Sequence, residues 1–247
     1  MLRLKVEDVR GLRNAFSAAS VVVDEATFQF TPESVKLCAM DPSRVAMVDL
    51  ELPKAAFSEY ECSEPMKLCL SLEGLLKLLR KVGAGEPVEL AAEGGRLKVN
   101  VSGRYSRSFT VPTLQPAEGE VKPPNVQLTV KAKMASASLR QALEDVEVAG
   151  ELVTLEADAE RLTFRTAGNV LTAAVEVSRG SECLLDLSAS SQAKASFSLD
   201  FLLPMVKQPL SEVATIEFAS DAPLKLEFVG AEGSRLTNWL APRVEPA

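Results

Sequence analysis

The side chains available for acid–base or nucleophilic chemistry are few in this sequence. The chain of 247 residues contains no histidine. This excludes Ser-His-Asp and Cys-His catalysis and zinc sites with histidine ligands. Ser191 and Lys194 fit the S-x-x-K pattern of a serine nucleophile, but the K-T-G and S-D-N motifs that accompany it are absent. We therefore expect no catalysis at Ser191.

The remaining candidates are carboxylates and cysteines. Asp41 and Asp49 are close in sequence, in a predicted turn and a predicted strand, and keep a carboxylate-dependent enzyme on an α+β scaffold open as the weakest alternative. No cysteine belongs to a C-x-x-C pair, so the sequence predicts neither a metal site nor a cofactor. We interpret the cysteines as small buried apolar residues. They are Cys38, Cys62, Cys69 and Cys183.

Basic residues gather on the polar faces of two predicted helices, although the chain has a net charge of −7. Overall acidity argues against a general nucleic-acid binder, because phosphate contacts need lysine and arginine. A protein that keeps its basic residues on one face is not excluded. The two faces are either solvated or form a phosphate-binding surface. Because both lie in the first half of the chain, the phosphate-binding interpretation is favoured. Their residues are Arg10, Arg13, Lys77, Arg80 and Lys81.

The helices that carry these residues follow from apolar stripes at spacings of three and four. The stripes predict helices from Val9 to Ala19 and from Leu72 to Val82, and two more from Leu139 to Val146 and from Leu199 to Val206. The third helix sets Arg140 beside Glu144 and Glu147, and the fourth offers Lys207. Pro204 is expected in the first turn of the fourth helix or at an early end of it.

Period-two alternation predicts antiparallel strands in the rest of the chain. The first half has alternating segments at 26–30, 35–39, 45–52, 86–91, 96–101 and 107–111. The second half has them at 153–157, 161–166, 171–177, 195–198, 215–219, 224–229 and 235–240. Several strands with two amphipathic helices on one face predict an α+β fold for each half.

An internal repeat divides the chain. An offset of 127 residues takes the pair Leu12-Arg13 to Leu139-Arg140, and the same register persists to Leu97 and Leu224. We infer two tandem copies of one fold, separated by a segment with three prolines that cannot be helical. The predicted boundaries are 1–113 for the first domain, 114–126 for the linker and 127–247 for the second domain.

Three segments resemble the proliferating cell nuclear antigen family of sliding clamps, with an archaeal member as the expected type. They span residues 37–52, 220–228 and 239–244. The resemblance covers essentially the whole chain and implies a ring of three subunits around duplex DNA. It places the helices at the central hole, where Arg10, Arg13, Lys77, Arg80 and Lys81 would face DNA. Arg140 and Lys207 would join them from the second domain, whose contribution is smaller because its third helix is acidic.

The resemblance also implies a docking pocket for short peptides of client proteins. The clients would be DNA polymerase, the clamp loader, flap endonuclease and ligase. Taken without the resemblance, Val45 and Met47 are more simply interpreted as core strand residues. The matching positions are Met40, Arg44, Val45, Met47, Val126, Leu128, Pro223, Trp239, Ala241 and Pro242. Added-strand pairing of the peptide along Val244 and Glu245 is a further possibility.

The subunit contact implied by the family is edge-to-edge strand pairing. The first strand, 107–111, consists of Arg107, Ser108, Phe109, Thr110 and Val111. The second, 171–177, contributes Leu171, Ala173, Val175 and Val177. We add the hypothesis that Lys77, Arg80 or Lys81 pairs with Glu144, Asp145 or Glu147 of the neighbouring subunit.

The leading functional hypothesis is a non-catalytic sliding clamp that confers processivity and docks replication and repair proteins. The alternative is a specialised subunit of a mixed, heterotrimeric ring built from paralogues. The charged start of the chain is unlike a secretory signal, and no apolar run approaches the ~18 residues that span a bilayer. We therefore expect a cytoplasmic, nucleoid-associated protein without a membrane contact.

Overall fold

The computed structural model describes residues 1–115, 119 and 121–243, which form two compact units. The first unit contains Met1–Asp41, Val48–Lys122 and Gly230–Leu236, and the second contains Pro42–Met47, Pro123–Val229 and the chain from Thr237 onward. Each unit therefore includes a short segment that is distant in sequence from the rest of it.

The first unit consists of two antiparallel sheets and two helices. The helices are α1 (Val9–Ala19) and α2 (Leu72–Leu79). One sheet has the order β5-β1-β7-β8-β9 and the other the order β4-β3-β2-β6. The strands are β1 (Leu2–Val6), β2 (Glu25–Phe30), β3 (Ser34–Met40), β4 (Ala46–Pro53), β5 (Glu59–Cys62), β6 (Met66–Ser71), β7 (Val88–Glu93), β8 (Arg96–Val101) and β9 (Arg107–Pro112).

The second unit repeats this arrangement. Its helices are α3 (Ser136–Glu147) and α4 (Leu199–Lys207). One run of strands has the order β14-β10-β16-β17, and the other sheet has the order β13-β12-β11-β15. The strands are β10 (Val130–Ala135), β11 (Leu152–Ala157), β12 (Arg161–Ala167), β13 (Thr172–Ser178), β14 (Leu184–Ala189), β15 (Ala193–Ser198), β16 (Val213–Phe218), β17 (Leu224–Val229) and β18 (Arg235–Leu240).

The predicted repeat is present in the structure. The 127-residue offset moves β2 onto β11, β3 onto β12 and β6 onto β15 without a shift in their bounds. It also brings the starts of α1 and α2 onto those of α3 and α4. The two tandem antiparallel domains with two helices each are therefore confirmed, but each unit has two sheets where the sequence suggested one.

The core of the first unit lies between its two sheets and its helices. Phe16 of α1 meets Phe28 of β2 edge to face, with ring centroids 5.2 Å apart. Leu4 of β1 and Leu90 of β7, which belong to the other sheet, line the same apolar interior. Apolar side chains from every layer thus exclude water together, which is the main favourable contribution to folding. Burial of the α1 and α2 stripes leaves the opposite helix faces to polar residues.

Two helix ends differ from the prediction. Helix α2 ends at Leu79, so Arg80 is its C-cap and Lys81 follows the helix. Pro204 lies inside α4, and three helical residues follow it, so the expected position in the first turn or at an early end is wrong. Proline removes the bond to the carbonyl of residue i−4, which here is the exposed Asp200, while the buried Met205 and Val206 anchor the last turn.

The cysteines differ partly from their predicted burial. All four are free thiols, but only Cys69 is buried, and the other three are partly exposed. Two of the partly exposed thiols donate hydrogen bonds to main-chain carbonyls. Cys38 donates from Sγ to the carbonyl of Val121, far along the chain, at 3.3 Å, and Cys62 donates to that of the nearby Glu64 at 3.2 Å. Each of these side chains acts as a weak donor as well as a small apolar group.

Candidate functional surfaces

The basic surface consists of Arg10 and Arg13 on α1 and of Lys77, Arg80 and Lys81 on and after α2. The two helices pack against each other in the first unit. Asp8 caps α1 by accepting from the main-chain N–H of Arg10 at 2.9 Å, and its carboxylate also lies 2.6 Å from the Arg10 guanidinium. The hydrogen bonds from Arg10 hold the pKa of Asp8 below its usual value.

The cations of the basic surface differ in how far they are compensated. Lys77 forms an ion pair with Glu73, one helical turn away, at 2.7 Å. The side chains of Arg80 and Lys81 are exposed and make no ion pair with any residue that the structure describes. Arg13 is half-buried. The strongest uncompensated positive charge therefore lies at Arg80 and Lys81, at the end of α2.

The two basic residues of the second unit that were expected to face DNA, Arg140 and Lys207, both lie near one carboxylate. Arg140 lies 3.0 Å from Glu144, one turn along α3. Lys207, at the end of α4, approaches the same carboxylate at 3.9 Å. Asp145 accepts from the side-chain amide of Gln141 at 2.8 Å. The polar face of α3, with Arg140 against Glu144, Asp145 and Glu147, is thus acidic, whereas that of α2 is basic.

The predicted docking residues of the second unit differ in exposure: two are buried, and the others are partly or fully exposed. Val45 is half-buried, Arg44 is exposed with φ of 58°, and the N–H of Ala241 donates to the carbonyl of Val45 at 2.8 Å. Met47 and Trp239 are buried, at 2% and 9% exposure. The partly or fully exposed members are Arg44, Val45, Val126, Leu128, Pro223, Ala241 and Pro242.

Met40 and the described linker residues up to Lys122 belong to the first unit. Met40 is half-buried at the end of β3. The linker is attached at its start, where the N–H of Leu114 donates to the carbonyl of Cys69 at 2.9 Å, and near its end, where Val121 accepts from Cys38. Val244 and Glu245, the predicted site of added-strand pairing, lie outside the described residues.

The two strands predicted to join subunits are both edge strands. In the sheet order, β9 has a neighbour only in β8, and β13 only in β12. Phe109 is half-buried in β9, and Leu171, directly before β13, is 49% exposed. An unpaired edge with exposed apolar side chains is a template for pairing with another chain.

Three exposed apolar residues of the two units were not predicted from the sequence. Val170 is fully exposed, Val148 is 69% exposed at the end of α3, and Tyr105 is 67% exposed before β9. Each lies in a turn or at a helix end, where period-two or period-3.6 patterns give no signal. Only their apolar character in otherwise polar turns could have pointed to them.

The residues considered for catalysis are separated by the fold or occupied. Lys194 of the S-x-x-K pattern pairs with Glu156 at 3.1 Å. Asp41 is buried at the end of β3, whereas Asp49 is partly exposed on β4, where burial followed by repulsion from Glu51 raises its pKa. Within the described part of the chain, no three cysteine or acidic residues cluster in a way that would hold a metal ion. None of the helices described is long and apolar enough to cross a membrane.

Comparison with protein families identifies the fold. The model of the proliferating cell nuclear antigen N-terminal domain matches residues 1–103, and that of the C-terminal domain matches residues 122–243. The chain belongs to the proliferating cell nuclear antigen family of DNA polymerase sliding clamps. The two domains of this family correspond to the two repeats.

Relatives and solved structures agree with membership of the family. The chain is 33% identical to the DNA polymerase sliding clamp of Thermofilum pendens, over 99% of this chain and 100% of the relative. It is 31% identical to DNA polymerase sliding clamp 3 of Aeropyrum pernix, over 98% of each. The fold superposes on PCNA of Thermococcus kodakaraensis with a TM-score of 0.92 and 26% identity, covering 98% of this chain and 100% of that one. A chain of the Sulfolobus tokodaii PCNA2–PCNA3 complex gives a TM-score of 0.90 and 27% identity, covering 98% of this chain and 100% of that one.

Proposed function

We propose that this clamp acts as a ring of three subunits that encircles duplex DNA and tethers client proteins, without catalysis of its own. The observation that carries the proposal is the relation between the internal repeat and the free sheet edges. In the second unit, the residue after β18 hydrogen-bonds to the residue before β4. The repeat equates β18 with β9 and β4 with β13, and each of these two equivalents lies at a free end of its sheet.

A contact made once within the chain can therefore be made again between chains. Pairing β9 of one subunit with β13 of the next uses different surfaces on each partner, which is a heterologous contact. Such contacts close into a ring when the rotation between subunits permits. Measurement of the mass of the purified chain in solution tests the ring, and a primer-extension assay with the cognate polymerase tests processivity. A trimer that lengthens extension products is expected, whereas an unchanged product length would contradict the function.

A mixed ring is the second candidate, favoured by the acidic polar face of α3. Because Arg140 and Lys207 already approach Glu144, this helix is less suited to phosphate contact and better suited to contact with a neighbouring subunit. The chain alone would then be a monomer or dimer, and addition of paralogous clamp subunits from the same cell would bring the mass to that of a trimer. A trimer formed by the purified chain alone would exclude this candidate.

Phosphate contact is proposed for the basic surface, with Arg80 and Lys81 contributing more than Lys77. The reason is that Lys77 is already paired with Glu73. Replacing both Arg80 and Lys81 by alanine is expected to lower the slope of log affinity against log salt by about 2, since each phosphate contact contributes about 0.9. DNA binding measured across a salt series checks the slope. Lys77→Ala is the comparison and should lower the slope by less than half of the change in the double variant. A change of about 0.9 for Lys77→Ala, which is the share expected for each of Arg80 and Lys81, would contradict the ranking.

Electrostatic pairing between subunits is proposed to depend on Glu147 rather than on Glu144. Glu144 already has two cationic partners in its own unit, whereas the exposed Glu147 has no ion pair with a described residue. Exposed ion pairs contribute only about 0–1 kcal/mol each. Glu147→Lys is therefore expected to weaken subunit association by a few fold at low salt and to have no effect at high salt, as measured by sedimentation. If Glu144→Lys with Glu147→Lys leaves assembly unaltered at low salt, this pairing is wrong.

A further inference from the structure

The carboxylate of Glu86 lies where three segments meet beside the free edge of β9. Its Oε2 accepts a hydrogen bond from the main-chain N–H of Gly83 at 2.7 Å and forms an ion pair with Arg107, the first residue of β9. Arg107 also donates from Nη1 to the carbonyl of Lys81 at 3.1 Å. One carboxylate and one guanidinium thus connect the loop after α2 to the start of the edge strand.

The turn between β8 and β9 closes over the same carboxylate. A Cβ atom added at Gly103 would overlap Oε1 of Glu86 and lie 3.0 Å from its Cδ. The N–H of Ser102 donates to the carbonyl of Pro87 at 3.0 Å, which holds the turn close to the loop. Gly103 therefore leaves the space that the carboxylate occupies.

The surroundings of this ion pair restrain both partners. The side chains of Arg107 and Glu86 are 20% and 25% exposed, whereas those of Lys77 and Glu73 are 68% and 69% exposed. The hydrogen bond from Gly83, followed by that from Arg107, holds the pKa of Glu86 below its usual value, so the carboxylate is ionised at neutral pH. Charge-assisted hydrogen bonds of this kind are about twice as strong as neutral ones.

We propose that Glu86 is a positioning residue for subunit association, which holds β9 in the extended conformation that strand β13 of a second copy requires. The inference rests on the proposed ring contact. Strand β9 is paired on one side only, from Arg107 opposite Val101 to Pro112 opposite Arg96. A restraint at its first residue therefore limits fraying of the edge before a neighbour arrives, which lowers the ordering cost of association.

Two substitutions remove the restraint in different ways. Glu86→Gln keeps the size of the side chain and removes its charge, and Gly103→Ala displaces the carboxylate from its partners. Each is expected to weaken subunit association about tenfold, as measured by sedimentation. Each is also expected to speed hydrogen exchange of the protected β9 amides about tenfold in the unassembled chain.

Two control variants distinguish loss of the restraint on β9 from the general effect of losing an ion pair or of adding a methyl group at a glycine. Glu217 pairs with Lys225 at 3.0 Å, and their side chains are 19% and 23% exposed on internal strands of the second unit. Gly11 has open space where a Cβ would lie. Glu217→Gln and Gly11→Ala should leave association and β9 exchange unchanged.

A double-substitution cycle distinguishes action through the contact between Glu86 and Arg107 from separate structural effects of the two residues. In an Arg107→Ala background, Glu86→Gln should weaken association less than twofold further, since both residues act through one contact. Equal association and equal β9 exchange in the wild type, Glu86→Gln and Gly103→Ala would overturn the proposal. A wild-type chain that associates with neither itself nor a paralogue would contradict the ring instead, while faster β9 exchange in Glu86→Gln would still support the positioning role.

Discussion

Replacing Leu171 by aspartate is expected to convert the assembled clamp into single subunits. Leu171 is 49% exposed directly before the edge strand β13, so the chain alone tolerates a charge there. In the proposed contact this position is covered by β9 of the neighbour, and the carboxylate would be buried without a partner. An uncompensated charge of this kind costs about 3–5 kcal/mol, so association should weaken at least about a hundredfold. Sedimentation measures the change.

A second exposed leucine provides the control for this experiment. Leu185 is 57% exposed in β14 of the same unit. Leu185→Asp introduces the same charge on a surface that the proposed ring leaves free. Its assembly should equal that of the wild type, and both variants should unfold at the wild-type temperature. Intact trimers of Leu171→Asp would place the subunit contact elsewhere.

Replacing Val45 by aspartate is expected to abolish docking of client peptides while the ring persists. Val45 is half-buried, and the N–H of Ala241 donates to its carbonyl, so part of the Val45 side chain is exposed at the proposed docking surface. Two aromatic anchors removing roughly 150–250 Å² each would contribute about 7–12 kcal/mol before ordering costs. A carboxylate against one of them should reduce affinity about a hundredfold or more, as measured by titration of a labelled clamp-binding peptide.

Val45 is a better position for this test than Met47. Met47 is only 2% exposed, so Met47→Asp would bury a charge in the core and disturb folding as well as docking. Val213 is 38% exposed in β16 and provides the matched control. Val213→Asp should bind the peptide like the wild type. Equal affinity of Val45→Asp and Val213→Asp would place the docking surface elsewhere.

Local sequence patterns predicted most elements, and they missed the five strands β1, β5, β6, β10 and β14. Strand β5, Glu59–Cys62, alternates two glutamates with Tyr60 and Cys62, but its four residues are too few for the alternation to stand out. Strand β1, Leu2–Val6, does alternate in burial, and its pattern was available in the sequence. The division of each repeat into two sheets had no local signal, since it depends on which strands pair across long separations.

The candidate surfaces were predictable to the extent that they depend on local spacing. The pair of Lys77 with Glu73 follows from an i,i+4 spacing on one helix. The approach of Lys207 to Glu144 depends on the packing of α3 against α4, and no spacing in the sequence reveals it. The same holds for Glu86 and Arg107, which are separated by 21 positions along the chain.

The segment Gly230–Leu236 has a consequence for synthesis of the protein. It belongs to the first unit, where its turn at Ala231–Gly233 packs near the turn at Lys54–Ala56, and Leu236 is completely buried. A ribosome extends the chain at roughly 5–20 residues per second. The segment Gly230–Leu236 is therefore synthesised on the order of ten seconds after Lys122, and the first unit is incomplete until then. During that interval its apolar interior lacks a cover, and a chaperone that shields nascent chains has its best opportunity to act.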